Sequence, residues 1–139
     1  MAHTWAQREG EWFEPGGRLL AKGYSGHDFG VNCPEADGIP SVGPIPRGAW
    51  TIGPLLTDEE LRAHQLHGPV MRLLPRPETV THGRSGFLIH GDLPAASRAA
   101  SHGCIILPLQ AREAIWDSGD RDLVVIEQAP VPASERAVA

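Results

Sequence analysis

Cysteine is scarce in this chain, which has only two, Cys33 and Cys104, among 139 residues. Scaffolds held together by disulfides are dense in cysteine, so that class of protein is excluded. No Cys-x-x-Cys pair indicates a zinc ribbon or a thioredoxin-like site. The two thiols can form one disulfide or none, and the sequence leaves this open. The remaining question is whether either thiol is reactive.

Long apolar runs and basic clusters are missing as well. No stretch approaches the ~20 apolar residues that cross a bilayer, and residues 1–8 lack the order of a secretory signal. With 12 Lys and Arg against 17 Asp and Glu, the net charge is −5, which offers little to nucleic acid or an anionic membrane. We therefore expect synthesis in the cytoplasm without a signal peptide, no membrane span and no nucleic-acid partner.

Length, glycine and proline favour one turn-rich domain. A chain of 139 residues can bury one hydrophobic core, whereas two domains would each lack one. Its 16 Gly and 13 Pro divide it into short runs of β-branched and aromatic residues, which suit a pleated sheet. We predict a mainly β domain over residues 1–127, a sandwich or open barrel with two short helices, and a flexible tail over residues 128–139.

Seven strands and two helices are predicted. The first helix begins at Thr57, where Glu60 completes a capping box, and ends near His67. The second begins at Pro108, a favoured first-turn residue, and stops at Ser118. The long loop over residues 26–48 is expected to have no regular structure and to line a cleft, with a surface excursion as the alternative. The predicted strands are Trp12–Glu14, Arg18–Tyr24, Ala49–Ile52, Val70–Leu74, Phe87–His90, Ile105–Leu107 and Leu123–Glu127.

Two apolar runs adjoin the residues that are candidates for catalysis. The run F-L-I-H-G-D occupies residues 87–92, and the motif S-H-G-C at residues 101–104 precedes a second run. If the two runs are neighbouring strands, His90 comes within hydrogen-bond reach of Cys104. An adjacent imidazole raises the thiolate fraction of a thiol that is otherwise protonated at neutral pH. Cys104 is therefore the candidate nucleophile and His90 the candidate base.

Small residues next to this pair have expected roles. Gly103 permits a sharp turn, and the backbone N–H groups of His102, Gly103 and Cys104 can form an oxyanion hole. Gly91 permits close approach, and its carbonyl can orient the imidazole of the base. Ser101 is expected to shape the turn. The alternative is that Cys104 is an inert core residue, because cysteine is among the most buried residue types.

These motifs resemble the catalytic motif of YkuD-like L,D-transpeptidases, cysteine enzymes of peptidoglycan in which His also precedes Cys. The upstream segments Y-S-G at 24–26, Asn32, G-P-I-P-x-G-x-W-x-I at 43–52 and R-S-G-F at 84–87 are similar to type VI secretion L,D-transpeptidase effectors. The resemblance covers roughly residues 23–107. Housekeeping enzymes usually place Arg two residues after the nucleophile, where this chain has Ile106. This departure favours the effector branch. A housekeeping enzyme of cell-wall maintenance is the alternative.

The resemblance implies an L,D-transpeptidase-like fold and a thioester mechanism without a cofactor. Cys104 attacks the third residue of a peptidoglycan stem peptide and releases the terminal D-Ala. Water, a D-amino acid or a neighbouring stem amine then resolves the thioester, and the sequence does not choose among hydrolysis, exchange and cross-linking. The expected partners are the stem peptide, a cognate immunity protein and a secretion-apparatus carrier, and the expected place of action is the periplasm of target bacteria.

A terminal substrate carboxylate requires a cation, and a guanidinium suits it. Arg84 and Arg98 flank the motif and are candidates, each with a solvated or structural role as the alternative. Asp92 is expected to support the site, although its contact with the imidazole is left open. Tyr24 and Asn32, from the matching upstream segments, complete the candidate substrate-binding set.

Three other functions fit part of the sequence. A zinc hydrolase could use N and S ligands, but no His-Glu-x-x-His or Pro-Cys-x-x-Cys element is present. Papain-like and NlpC-type peptidases usually place Cys before His, the reverse of this order. A non-catalytic β-rich module for a wall glycan would leave Cys104 inert. The zinc-ligand candidates are His82, His90, His102 and Cys104.

Overall fold

The computed structural model describes residues 2–92 and 103–130. Within these ranges two short 3-10 helices, Asp28–Gly30 and Pro34–Ala36, occur in the loop that was expected to have no regular structure. Neither α-helix of the described part is long and apolar enough to cross a membrane. The other elements are β1 (His3–Ala6), β2 (Glu11–Phe13), β3 (Leu19–Lys22), β4 (Tyr24–Ser25), β5 (Gly48–Leu55), α1 (Asp58–His64), β6 (Met71–Pro75), β7 (Leu88–His90), β8 (Ile105–Ile106), α2 (Leu109–Asp117) and β9 (Asp122–Ile126).

The strands form a single sheet that curls almost into a closed barrel. Its order is β3-β2-β1-β9-β5-β6-β7-β8-β4, with parallel pairing of β1 with β9 and of β7 with β8. The edge strands β3 and β4 are separated in sequence by Gly23 alone, so the two edges must lie close together. Gly23 donates to the carbonyl of Gly10 at 2.8 Å, and a Cβ at Gly23 would overlap the carbonyl oxygen of Ile106. The prediction of a mainly β open barrel or sandwich with two helices is confirmed.

The core lies on the inner face of this sheet. Strand side chains alternate between faces, and the inward set is almost completely buried. Helix α2 adds Ala111 and Ile115 to the core, and Trp116 packs at its edge. Burial of this apolar area is the main stabilising contribution to the fold. The inward strand residues include Trp5, Trp12, Trp50, Ile52, Leu73, Ile89, Ile105 and Leu123.

Local signals predicted most elements but not all of them. The capping box of α1 is present, because Thr57 and Glu60 each bond the other's backbone N–H. The helix ends at His64, earlier than predicted, since Gln65 adopts the left-handed conformation. The run predicted as one strand over residues 18–24 is split at Gly23 into β3 and β4. Strand β1 was not predicted, because its four residues carry little periodicity.

Buried His3 explains why β1 is ordered. The indole Nε1–H of Trp12 donates to His3 Nδ1 at 3.1 Å, so the neutral ring carries its proton on Nε2. That N–H donates to Ser118 Oγ at 3.2 Å, and Ser118 donates to the carbonyl of Ile115 at 2.7 Å. Burial lowers the pKa of His3. A neutral histidine therefore connects β1 to the end of α2.

We expect His3→Ala to lower the free energy of unfolding by about 2–4 kcal/mol, because it leaves the buried indole N–H without its acceptor and opens a cavity. Urea denaturation followed by tryptophan fluorescence measures this. The control is His64→Ala at the exposed end of α1, for which less than about 0.5 kcal/mol is expected. The wild-type protein should also lose stability as the pH falls below the ordinary histidine pKa, since the unfolded chain then binds a proton that folded His3 excludes. Equal costs for the two variants would contradict this role of His3.

Candidate functional site

The register between β7 and β8 places the two reactive residues on one face of the sheet. Ile89 pairs with Ile105 and His90 pairs with Ile106 in parallel. Because side chains alternate along a strand, Cys104 shares a face with Ile106 and therefore with His90. This face is opposite the core face of Ile89 and Ile105. The prediction that the two apolar runs are neighbouring strands is confirmed.

His90 has a defined tautomer. Its Nδ1 lies 2.8 Å from the carbonyl oxygen of Gly91, which can only accept, so Nδ1 carries the proton of the neutral ring. The Gly91 carbonyl therefore contacts the imidazole as expected, and Nε2 is left as the basic nitrogen. His90 is 5% exposed. Burial lowers its pKa, as does the charge of Arg112, whereas the Gly91 hydrogen bond and Asp92 act in the opposite direction.

Cys104 is a protonated thiol at rest. Burial raises its pKa to about 11, although a hydrogen bond from the backbone N–H of Leu88 and the charge of Arg84 act in the opposite direction. Its sulfur lies 3.8 Å from the carbonyl oxygen of Gly86. Burial therefore opposes the higher thiolate fraction that an adjacent imidazole is expected to give. Removing a thiolate from water costs more free energy than the Leu88 hydrogen bond and the Arg84 charge recover.

Arg84 connects the long loop to the site. Its Nη1 donates to the carbonyls of Asp37 at 2.6 Å and Pro44 at 2.8 Å, and its Nη2 donates to Gly43 at 2.9 Å. The guanidinium carbon also lies 5.3 Å from the centre of the Phe87 ring. The loop thus borders the site through one cation. Contact of Arg84 with a substrate carboxylate stays a prediction.

Gly103 is held from both sides. It has a φ of +127°, and a Cβ there would lie 2.6 Å from Nη2 of Arg84 and 3.0 Å from Phe87 Cε1. The hydroxyl of Ser25 donates to its carbonyl at 3.1 Å and accepts from the N–H of Ile45 at 2.8 Å. The turn before the nucleophile therefore requires glycine, both for its backbone conformation and for space.

Arg112 is a site residue that the sequence reading missed. It is 5% exposed, and a Cβ at Gly91 would lie 2.8 Å from its Nη2. Its guanidinium donates to three backbone carbonyls, from Leu107 at 3.1 Å, His67 at 3.0 Å and Pro69 at 2.9 Å. Its position in helix α2 could have indicated its burial. It lies between the apolar residues 111 and 115, so the helical period places it close to the buried face.

The other predicted residues are distributed around this centre. Tyr24 donates to Asp92 Oδ1 at 2.7 Å, and the Asn32 Oδ1 accepts from the N–H of Ser25 at 3.0 Å. Asn32 is therefore attached to β4 and to the turn held by Ser25. Arg98, Ser101 and His102 lie outside the described residues. A pocket of about 240 Å³ is lined by Lys22, Gly23, Tyr24, Asp92, Ile106, Leu107 and Pro108.

Cys33 and Cys104 are both free thiols, so they do not form a disulfide with each other. In residues 2–92 and 103–130, no three His, Cys, Asp or Glu side chains converge as a metal site would require. His82, one of the zinc-ligand candidates, has its Nε2 4.0 Å from a carboxylate oxygen of Asp37 in the long loop. His102 belongs to the part of the chain that is not described.

A thiol and an oriented imidazole on one face of a mainly β, nearly closed sheet define a candidate cysteine-nucleophile site. The family model described as the Tlde1 domain matches residues 20–125, more than half of the chain. The protein therefore belongs to the Tlde1 domain family of type VI secretion effectors, which is related to L,D-transpeptidases. No curated protein matches the chain.

Gly103→Ala should be more destabilising than an alanine at an unobstructed glycine. The new Cβ would displace a guanidinium held by three carbonyls and the Phe87 ring, with an expected cost of about 2–4 kcal/mol. Gly16→Ala is the matched control, since Gly16 has a φ of +106° and no atom within 4 Å of an added Cβ. It should cost about 1–2 kcal/mol from backbone strain. Equal losses in urea unfolding would show that space at Gly103 is unimportant.

Alkylation of Cys104 should report its raised pKa. In a Cys33→Ser background, the iodoacetamide rate is expected to increase with pH throughout the range from 7 to 10 without a plateau, because burial raises the pKa to about 11. Adding Arg84→Met should slow alkylation at each pH, since it removes a charge that stabilises the thiolate. A plateau below pH 9 would contradict a protonated resting thiol.

Proposed function

We propose that this protein is a cysteine L,D-transpeptidase or L,D-carboxypeptidase that acts on tetrapeptide stems of peptidoglycan. We also propose that it is an antibacterial effector delivered by type VI secretion to the periplasm of target bacteria. Membership of the Tlde1 domain family supports the wall target and the delivery route. The observation that carries the chemistry is the β7–β8 register, which puts Cys104 and His90 on one face.

The proposed reaction begins from a neutral pair. As Cys104 Sγ attacks the carbonyl carbon of the third stem residue, His90 Nε2 takes the thiol proton and the C–S bond forms. The tetrahedral intermediate then expels the terminal D-Ala by breaking the C–N bond. His90 returns its proton to the leaving amine. Water or an amine, deprotonated by His90 Nε2, then attacks the thioester carbonyl carbon. The C–S bond breaks, and His90 returns the proton to Cys104 Sγ.

The resting protonation states suit this order of events. Cys104 keeps its proton until His90 accepts it, so the ion pair forms only as the C–S bond forms. The Nδ1–H bond to the Gly91 carbonyl continues to stabilise the imidazolium that results. Arg84 and the N–H of Leu88 stabilise negative charge on the sulfur. We assign the oxyanion hole to the backbone N–H groups at residues 102–104, with Ser101 shaping the turn before them.

The proposed stem-peptide subsite is the pocket next to His90. Ile106 pairs with His90 and with Tyr24, so this pocket continues the face of the reactive pair. Its polar groups are the Tyr24–Asp92 hydrogen-bonded pair and Lys22, and its wall is apolar at Ile106, where a housekeeping enzyme would usually place Arg. Arg84 and Arg98 remain the proposed carboxylate ligands, and Asn32 acts through the strand that carries Tyr24.

Mass spectrometry of purified tetrapeptide muropeptides after incubation with the protein tests this function. Loss of D-Ala, a swapped D-residue or a new dimer is expected, and each identifies a different acceptor. Cys104→Ser should abolish the change, and His90→Gln should slow it by about 10²–10⁴-fold, the usual contribution of a general base. Cys33→Ser is the matched control and should retain the rate.

Two further arms separate the alternatives. An alkylating reagent should stop the reaction of the Cys33→Ser protein and a chelator should not, whereas a zinc hydrolase would show the opposite pattern. Unchanged tetrapeptides with the wild-type protein would count against an enzyme. If Cys104→Ser also kept its toxicity in the periplasm of a bacterial host, a non-catalytic wall-binding role would replace the proposal.

A further inference from the structure

We propose that Arg112 is a positioning residue for His90: its guanidinium fills the space that Gly91 leaves empty and so holds the peptide whose carbonyl orients the imidazole. Only the expected effect of Arg112 on the reaction rate rests on the proposed function. The effect on the ring itself follows from the geometry. Arg112 lies next to the Cα of Gly91 and is not assigned contact with substrate.

The guanidinium joins three segments of the chain. It donates hydrogen bonds to the carbonyl of Leu107, which follows β8, and to the carbonyls of His67 and Pro69, which precede β6. Leu107 in turn donates its N–H to the carbonyl of His90 at 3.0 Å. Arg112 is therefore one hydrogen bond removed from the His90 backbone on the β8 side.

Gly91 provides the second connection. A Cβ at this position would lie 2.8 Å from Nη2 and 3.2 Å from Cζ of Arg112, closer than a real side chain allows. Since side chains alternate, the empty position at Gly91 points away from the His90 face. The arginine thus supports the peptide from the core side, while the Gly91 carbonyl receives Nδ1–H of His90 at 2.8 Å.

Charge adds to the effect of position. In the described part of the chain, the charged and titratable groups around His90 are Arg112 from α2, Asp92 after β7, Cys104 before β8 and Tyr24 on β4. Arg112 lowers the pKa of His90 and Asp92 raises it, with burial as the largest cause of the overall lowering. The arginine therefore favours the neutral ring that a general base requires.

Three variants separate position from charge. Arg112→Met removes the positive charge and the hydrogen-bond donors of the guanidinium. Arg112→Lys keeps the charge but loses the planar guanidinium, and Arg121→Met is the control. Arg121 likewise donates to a backbone carbonyl, that of Trp116 at 3.1 Å, and its guanidinium carbon lies 3.7 Å from the centre of the Trp116 ring. Histidine ¹⁵N NMR across a pH series measures the His90 pKa and tautomer, and kcat/KM on tetrapeptides is measured over the same range.

Arg112→Met should reduce the Nδ1–H tautomer, because the peptide that accepts this N–H is no longer held. It should also give a higher His90 pKa than Arg112→Lys, because only the methionine variant removes the nearby positive charge. The acid limb of kcat/KM should lie at higher pH for Arg112→Met than for Arg112→Lys. Arg112→Lys should leave the pKa close to wild type but lower kcat by about tenfold or more with little change in KM, since the imidazole is less well aligned. Arg121→Met should shift neither the His90 pKa nor its tautomer.

A folded Arg112→Met protein with an unchanged His90 pKa and tautomer would overturn the proposal. If that variant does not fold, the His90 tautomer is measured in Arg112→Lys and Gly91→Ala instead. An added Cβ at Gly91 should displace the guanidinium and so reduce the Nδ1–H tautomer. An unchanged tautomer in both would likewise overturn it. If wild type does not act on muropeptides, the proposed function fails, and the NMR measurements still decide the role of Arg112.

Discussion

Two guanidinium groups, the half-buried one of Arg84 and the buried one of Arg112, each lie where a glycine has no side chain and hold the candidate site together. Arg84 lies against Gly103, before the thiol, and Arg112 lies against Gly91, after the imidazole. Each donates hydrogen bonds to three backbone carbonyls, which offset the cost of burying its charge. The strand ends that carry the two reactive residues are thereby connected to the long loop, to the segment before β6 and to α2.

The same arrangement sets the protonation states of the site. Positive charge acts on the thiol through Arg84 and on the imidazole through Arg112, while burial disfavours the charged form of both reactive groups. Burial outweighs the help that Arg84 gives to the thiolate, so Cys104 is a thiol at rest. The directions of both pKa shifts therefore favour a neutral thiol beside a neutral imidazole over a preformed ion pair.

Much of the fold and part of the site could be predicted from local patterns. The capping box at Thr57 and the apolar run before His90 depend on neighbours in sequence, so the corresponding elements were found. Strand β1 was missed because its four residues carry little periodicity, and because one of the two partners that order His3, Ser118, lies far away in sequence. Arg112 was missed for the same kind of reason, since its three carbonyl partners and Gly91 come together only when the sheet closes.

By itself the sequence determined the predominance of strands and the presence of a His-Gly strand end and a Gly-Cys strand start, because periodicity and turn chemistry are local. Only the tertiary structure decided the parallel register of β7 with β8, the tautomer of His90 and the proton on Cys104. These depend on burial and on partners distant in the chain. Desolvation and the effects of distant charges are properties of the folded molecule, so a motif of four residues cannot predict them.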